Sequence, residues 1–373
     1  MTFSFSSLIR LTALLSIAAT MFAVSLSRVD RQTSDTRTRS APGVIQLNGY
    51  YLKNISRDSQ WFDVDSGRIK TMTMASGDLV ETSSRAPWVD RRGQSQIVGR
   101  FSVRSSPGPL STSLDFGLAR YSYPDGRLLD RVSTDVMPIA PPAWYPGTRA
   151  RVLYVAGNGH LYEFDFEGDR MRSEIEPKPH RITWGCRPPG EGEPFLTEVR
   201  WSDDPRMASF PLVTLRRRLI DAEGRQEFTR TQIWWLKLDP AGSTVLAAGP
   251  LIDGDAGDQD EHSPAITTLP DGRLAASFLI HEAETSAWRA RVGVIREASA
   301  GVPPSLAAKA VRTLDGELQP TTTAFSSDGR YLSVMLGSDA EHARPVRLPT
   351  GLGLVPETGP ISIAGRTPGQ PGG

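Results

Sequence analysis

Short apolar runs alternate with polar turn clusters along most of this chain. The stretch QPTTTAFSSDGRYLSVML, Gln319 to Leu336, shows the form: an extended segment, Ser-Asp-Gly, then a second extended segment. Near the start, QWFDVDSGRIKTMTM has the same shape, with Trp61, Asp63 and Asp65 alternating against Phe62 and Val64. Alternation of period two predicts a half-buried β-strand. LYEFDFEGDRMRS and QIWWLKLDPAGSTVLAAG both read as strand, glycine-containing turn, strand. Asp-Gly at Asp271-Gly272 and Asp328-Gly329 supplies the positive φ that a tight hairpin needs. Pro146-Gly147 and Asp203-Asp204-Pro205 are related turn signals. A sustained apolar period of 3.6 is absent, because glycine or proline interrupts each candidate window. The one exception, PPSLAAKAVRTL, fits a single helical turn or a loop.

The hairpins repeat. APWVDRRGQSQIVGRFSV, PPAWYPGTRARVLYVA, EVRWSDDPRMASFPLVTL, SPAITTLPDGRLAASFLI and QPTTTAFSSDGRYLSVML share one pattern. In each, an apolar or aromatic residue precedes a polar turn and an apolar run follows. Aligned on Trp88, Trp144, Trp201, Ile266 and Phe325, they recur at intervals of 56, 57, 65 and 59 residues. That exceeds the about 40 to 50 residues of a propeller blade and implies loop insertions. Two hairpins per unit make a four-stranded antiparallel blade.

AFSSDGRYLSVML and PAWYPGTRARVLYVAGNGHLYEFDFEG resemble the TolB-type (PD40-like) β-propeller repeat, in which a proline and an aromatic precede Ser-Pro-Asp-Gly and a strand. Phe325-Ser326-Ser327-Asp328-Gly329 matches best, with serine in place of proline. The resemblance implies a toroid of radial sheets and no particular activity. Counting the Trp61 hairpin as a unit gives six, over 44–80, 85–136, 138–178, 194–254, 260–300 and 317–360. The expected fold is therefore all-β, a β-propeller of about six four-stranded antiparallel blades, with five or seven also compatible. A terminal strand commonly completes a blade begun at the other end, which hides the sheet edges. Trp88, Trp144, Trp201 and Phe325 are expected to fill the space between blades.

The N-terminus changes the picture. LIRLTALLSIAATMFAVSLS, Leu8 to Ser27, places Arg10 before an apolar run that closes on Ala23-Val24-Ser25. This is the pattern of a secretory signal peptide. The run is also long enough to serve as an uncleaved membrane anchor, and Arg10 is balanced by Arg28 and Arg31. The organisation expected is a signal peptide or anchor over 1–27, a flexible linker over 28–43, the propeller over 44–360 and a disordered tail over 361–373. Export would place the protein in the periplasm or outside the cell.

Forty-two basic and 42 acidic residues cancel, so nothing draws the chain electrostatically to nucleic acid or to an anionic membrane. The single cysteine, Cys186, excludes an internal disulfide and reads as a small buried apolar side chain.

Candidate chemistry is sparse. There is no G-x-S-x-G elbow, phosphate-binding glycine loop or His-Glu-x-x-His pair. DGDAGDQDEH, Asp253 to His262, is the densest acidic stretch. Asp253, Asp255, Asp258 and Asp260 form a candidate calcium site, since hard cations take carboxylate oxygens from loops. The spacing is not that of an EF-hand. The other reading is a solvated loop in which Asp260 or His262 caps the next strand. No other cofactor is implied. TLRRRLID, with Arg216 to Arg218, reads as a strand with a solvated face. Asp260, Glu261 and Glu198 are candidates for the paired carboxylates of a propeller glycoside hydrolase, which work as acid and base about 5 to 10 Å apart. The sialidase Asp-box is absent. Two functions follow. One is an exported, non-enzymatic propeller that binds a protein, peptide or envelope component through its rim or central funnel, with the membrane touched only through the N-terminal anchor. The other is a sialidase-like or related hydrolase acting on carbohydrate.

Overall fold

The computed structural model describes residues 44–46, 58–73, 79–82, 88–108, 111–123, 125–147, 149–167, 179–186, 192–202, 204–253, 259–282, 285–296, 302–307, 311–318, 323–336 and 344–352. The segment 1–27, the linker 28–43 and the tail 361–373 lie outside them. The protein is all-β, a propeller of five blades.

The first sheet comprises β1 (Val44–Gln46), β2 (Asp58–Asp63) and β3 (Arg68–Thr73). The second holds β4 (Leu79–Thr82), β5 (Trp88–Val89), β6 (Ser95–Gly108), β7 (Ser111–Ser122) and β8 (Leu128–Ser133). The third runs β9 (Ala143–Trp144), β10 (Arg151–Val155), β11 (Leu161–Asp165) and β12 (His180–Arg181). In the fourth are β13 (Thr183–Trp184), β14 (Glu193–Arg200), β15 (Leu212–Ile220), β16 (Gln226–Phe228), β17 (Gln232–Leu238) and β18 (Thr244–Pro250). A short strand, β19 (Ile252–Asp253), leads to the fifth sheet and pairs in parallel with β23 (Leu306–Ala307). The fifth sheet contains β20 (Asp260–Thr268), β21 (Leu274–Glu282), β22 (Ala287–Val294), β24 (Arg312–Leu318), β25 (Ala324–Phe325), β26 (Tyr331–Leu336) and β27 (Arg344–Pro349).

The last sheet explains why there are five blades where the repeats count six units. The units over 260–300 and 317–360 are hydrogen-bonded into one sheet. β22 pairs with β24, and β24 reaches β26 through Leu318 and Leu336. The described residues of PPSLAAKAVRTL form no helix and run into β23 and β24. The one helical turn among the described residues is a 3-10 turn, Pro205–Met207. Asp204 caps it by accepting the Arg206 N–H, so Asp204-Pro205 turns the chain as a capped start.

Local chemistry sets the hairpins. Gly272 and Gly329 adopt φ of +83° and +69°. A second turn form repeats as Asp-x-x-Gly. Asp90, Asp221 and Asp239 each accept two backbone N–H groups of their own turn. The glycine three positions on donates back to the aspartate carbonyl. These side chains replace water on groups the ladder leaves free.

The apolar clusters lie between sheets. Trp88, Val98 and Leu118 of the second sheet pack on Trp144, Val152 and Phe164 of the third. Leu153 and Leu161 of the third meet Leu196, Val213 and Trp234 of the fourth. Leu212 and Ile233 of the fourth meet Phe278 and Ile280 of the fifth. Sheets two to five thus bury faces against their neighbours, which is the physical reason a propeller blade needs the next one. Trp88 and Trp144 stack with centroids 4.8 Å apart, and Tyr145 lies 4.2 Å from Trp201. Phe325 is buried in the fifth sheet. Trp88, Trp144 and Trp201 thus fill space between sheets as expected, whereas Phe325 packs within its own sheet. Cys186 is half-buried at the edge of the third–fourth cluster.

The ends of the ring meet differently from the expected strand exchange. β1 pairs with β2 inside the first sheet. Contact with the fifth sheet comes from the β2–β3 turn. Asp65 accepts the Ser327 N–H at 2.6 Å, Arg347 donates to the Asp65 carbonyl at 2.8 Å, and Phe62 and Val64 pack on Ala324.

Candidate functional site

β14 and β20 are edge strands of the fourth and fifth sheets, and they lie against each other and against neighbouring strands. Both carry bulges. The β14 register shifts between Leu196 and Glu198, and that of β20 shifts between His262 and Ala265. Bulges re-aim side chains and recur beside functional sites. Ser263, within the second bulge, has φ of +52°, a conformation unusual for a residue with a Cβ.

The bulged Ser263 joins three elements. Its N–H donates to Glu198 Oε2 at 3.0 Å, and its carbonyl accepts from Thr323 Oγ1 at 3.0 Å. Thr323 in turn lies 3.2 Å from the buried Ser277 hydroxyl. Glu198 also accepts from Thr214 Oγ1 at 3.3 Å and is ion-paired with the buried Arg200. The carboxylate is therefore surrounded by protein donors.

The other two carboxylate candidates point elsewhere. Asp260 accepts the Thr231 N–H at 2.6 Å, so it satisfies a main-chain donor just ahead of β17. Glu261 is 3 % exposed and accepts the Ile233 N–H at 2.8 Å, while its own N–H donates to the Thr231 carbonyl. Burial raises the Glu261 pKa, and the Ile233 hydrogen bond pulls against that rise. Together Asp260 and Glu261 clasp the start of β20 to the start of β17. Where Asp260 is expected to cap its own strand, the bond it makes is instead to the residue ahead of β17 in the neighbouring sheet. Glu198 and Glu261 are brought to the same seam, but Glu261 is turned into the sheet contact.

Of the calcium candidates, Asp255 and Asp258 lie outside the described residues. Asp253 accepts from the Ser305 hydroxyl. Among the described residues no group of three His, Cys, Asp or Glu converges as metal ligands would.

Two walls of side chains, missed as a site by the sequence reading, flank Glu198 and Ser263. On the fourth sheet, Phe195 lies opposite Arg216, and Arg218 lies opposite both Glu193 and Phe228. Direct opposition puts all five on one face. The Arg216 guanidinium sits 5.0 Å from the Phe195 ring and 3.9 Å from that of Phe228. The two rings meet edge to face at 5.3 Å. Gly159 leaves room for Phe195, since a Cβ there would come within 2.4 Å of the ring. Arg218 is ion-paired with Glu193. Among the described residues Arg216 has no carboxylate partner, and its buried Nε has no hydrogen-bond partner.

On the fifth sheet, the Trp288 indole lies between two imidazoles, 5.1 Å from His262 and 4.9 Å from His281. Burial lowers the His262 pKa. Glu198 and Asp260 oppose that shift, while His281 and Arg216 add to it, so Arg216 acts on His262 across the seam. The signal available was TLRRRLID, whose first arginine is one residue after the β17-paired part of β15. Arginine beside aromatics only becomes visible when Phe195 and Phe228 arrive from separate strands.

No family model matches the chain, and no curated protein is similar to it in sequence. Among solved structures it is similar to a protein of unknown function from Dyadobacter fermentans, at 14% identity and a TM-score of 0.46, covering 78% of this chain and 82% of that one. It is also similar to an endo-arabinase from Bacteroides thetaiotaomicron, at 13% identity, a TM-score of 0.39 and coverage of 73% and 92%. The WD40 domain of SCAP from fission yeast aligns at 11% identity, with a TM-score of 0.37, over 76% of this chain and 73% of that domain.

Proposed function

We propose that this chain is an exported, non-enzymatic β-propeller that binds a protein, peptide or envelope component through the rim and mouth of its ring. The observation behind this reading is the state of the three acid–base candidates. Glu198 is engaged by Ser263, Thr214 and Arg200, Asp260 by Thr231, and Glu261 by Ile233. A glycosidase needs one carboxyl free to protonate the leaving group and a second free to attack or to activate water. Loops and strand extensions on a rigid ring suit recognition instead. Export and the envelope setting belong to the same proposal and rest on the signal pattern of Leu8 to Ser27.

Two measurements test it. Purified chain is incubated with arabinan and with a panel of sialosides, and released sugar is quantified. Hydrolysis that disappears in Glu198→Gln would overturn the binding reading in favour of the hydrolase. Separately, residues 1–27 are fused to a reporter that is active only after export. A reporter retained in the cytoplasm would remove the envelope from the proposal.

A further inference from the structure

Resting on the binding reading above, we infer that the Phe195–Arg216–Phe228 face is a docking site for an acidic peptide, with the Arg216 guanidinium taking a carboxylate and the two phenyl rings taking a neighbouring apolar side chain. Four observations carry this.

First, Arg216 is held but not neutralised. Its guanidinium lies against the Phe228 ring at 3.9 Å and near that of Phe195 at 5.0 Å, and no carboxylate pairs with it among the described residues. Three neighbouring arginines are committed to carboxylates, and Arg217, on the opposite face of β15, lies against the Trp234 ring. Arg218 pairs with Glu193, Arg200 with Glu198, and Arg225 with Asp221 and Glu223. A planar guanidinium presents a fork of donors that matches a carboxylate in a bidentate pair, and a fork already oriented loses less freedom on binding.

Second, the same face is apolar and partly open. Phe228 is 40 % exposed and Ile220 is 66 % exposed. Arginine and aromatic residues together are the commonest composition of binding hot spots.

Third, charge selects the ligand. Glu193, Glu198 and Asp260 lie on the strands that meet here, the first two paired with arginines and Asp260 holding a main-chain N–H. A dianionic phosphate would meet these carboxylates with Arg216 as the one guanidinium of this face that no carboxylate pairs among the described residues. A singly charged carboxylate fits better.

Fourth, β16 pairs only with β15 among the described strands. Its other edge leaves backbone donors and acceptors to an extended chain, the mode in which sheets capture peptides. A small free acid would use neither that edge nor the phenyl rings.

The test uses the full mature chain and a displayed library of random twelve-residue peptides. Selected sequences are synthesised and titrated, each beside a counterpart with Gln and Asn in place of Glu and Asp. The expected result is that selected peptides combine an acidic residue with a nearby aromatic or aliphatic one. The amide counterpart should bind at least tenfold more weakly. Arg216→Gln should lose at least tenfold, and Arg216→Lys should fall between, since it keeps charge without the fork. Thermal melts of both variants within a few degrees of wild type show that they are folded, and Phe228→Ser repeats the test from the apolar side should Arg216→Gln prove unfolded. Selected peptides without acidic residues, or equal binding to Arg216→Gln, would sink this site while leaving the binding reading standing. Displacement of a selected peptide by equimolar inorganic phosphate would reassign the site to phosphate and overturn the peptide. A library that yields no peptide binder at all would count against both.

Discussion

Ser263 carries the clearest local tension in the fold. A serine at φ of +52° sits where residues with a Cβ are uncomfortable, at a cost of roughly 1–2 kcal/mol. The conformation lets one residue give its N–H to Glu198 and its carbonyl to Thr323. Ser263→Gly keeps both bonds and should raise the melting temperature, whereas Ser263→Val should lower stability by about 1–3 kcal/mol. A glycine variant no more stable than wild type would mean that the bulge is not strained. His262, next door, gives a pH test. Its folded pKa is below the ordinary imidazole value, so the unfolded chain binds the proton more readily. Its contribution to stability is therefore intact above the unfolded value of 6.5 and is lost as pH falls from there through the depressed folded value. Denaturant titrations across that window should show a shallower acid slope for His262→Gln, with His281→Gln as the control for the second imidazole. Neither residue's role was readable from DGDAGDQDEH, because Glu198 and Arg216, which face His262, come from another sheet.

At the scale of elements, the hairpins were largely legible and their docking was not. Asp-Gly turns and period-two alternation depend on residues close in sequence, and the turns at Gly272 and Gly329 form as those residues imply. The Asp-x-x-Gly turns at Asp90, Asp221 and Asp239 follow the same local rule and could have been found the same way. The clasp of β20 on β17 could not. Its bonds join Asp260 and Glu261 to Thr231 and Ile233 across about thirty positions of chain. Acidic residues before a strand read equally as metal ligands, catalytic groups or caps until their partners are known. Glu261→Ala should leave the buried Ile233 N–H without an acceptor and cost about 1–3 kcal/mol, measured by equilibrium unfolding. Loss of less than a few tenths of a kcal/mol would show that water or a shifted backbone replaces the carboxylate.

The whole molecule is a ring whose stability resides in seams. Sheets two to five share apolar clusters, while the first and fifth meet through a small one, Phe62, Val64 and Ala324, reinforced by polar bonds of the β2–β3 turn. Arg347 is the centre of those bonds, donating to Asp65 and stacking 4.9 Å from the Tyr331 ring. Local opening follows the least buried contacts. Hydrogen exchange should therefore show β2 and β3 among the first strands to lose protection in Arg347→Ala, with the seam between third and fourth sheets unchanged. A uniform loss of protection around the ring would instead mean that closure is coupled to the entire fold.

Sequence alone determined the class of fold, since strand period, turn residues and recurring aromatics are all encoded within single hairpins. It also placed Trp88, Trp144, Trp201 and Phe325 in the core, because one sheet cannot bury both of its faces without a neighbour. Tertiary structure decided the number of blades, because the Leu318–Leu336 pairing that fuses the last two repeat units depends on how β24 meets β26. It decided the manner of closure, which uses a turn rather than a shared strand. It also decided which charged groups are committed. Glu198, Asp260 and Glu261 are engaged, and Arg216 has no carboxylate beside it among the described residues, because hydrogen bonds and ion pairs are set by distances across seams that no spacing along the chain records.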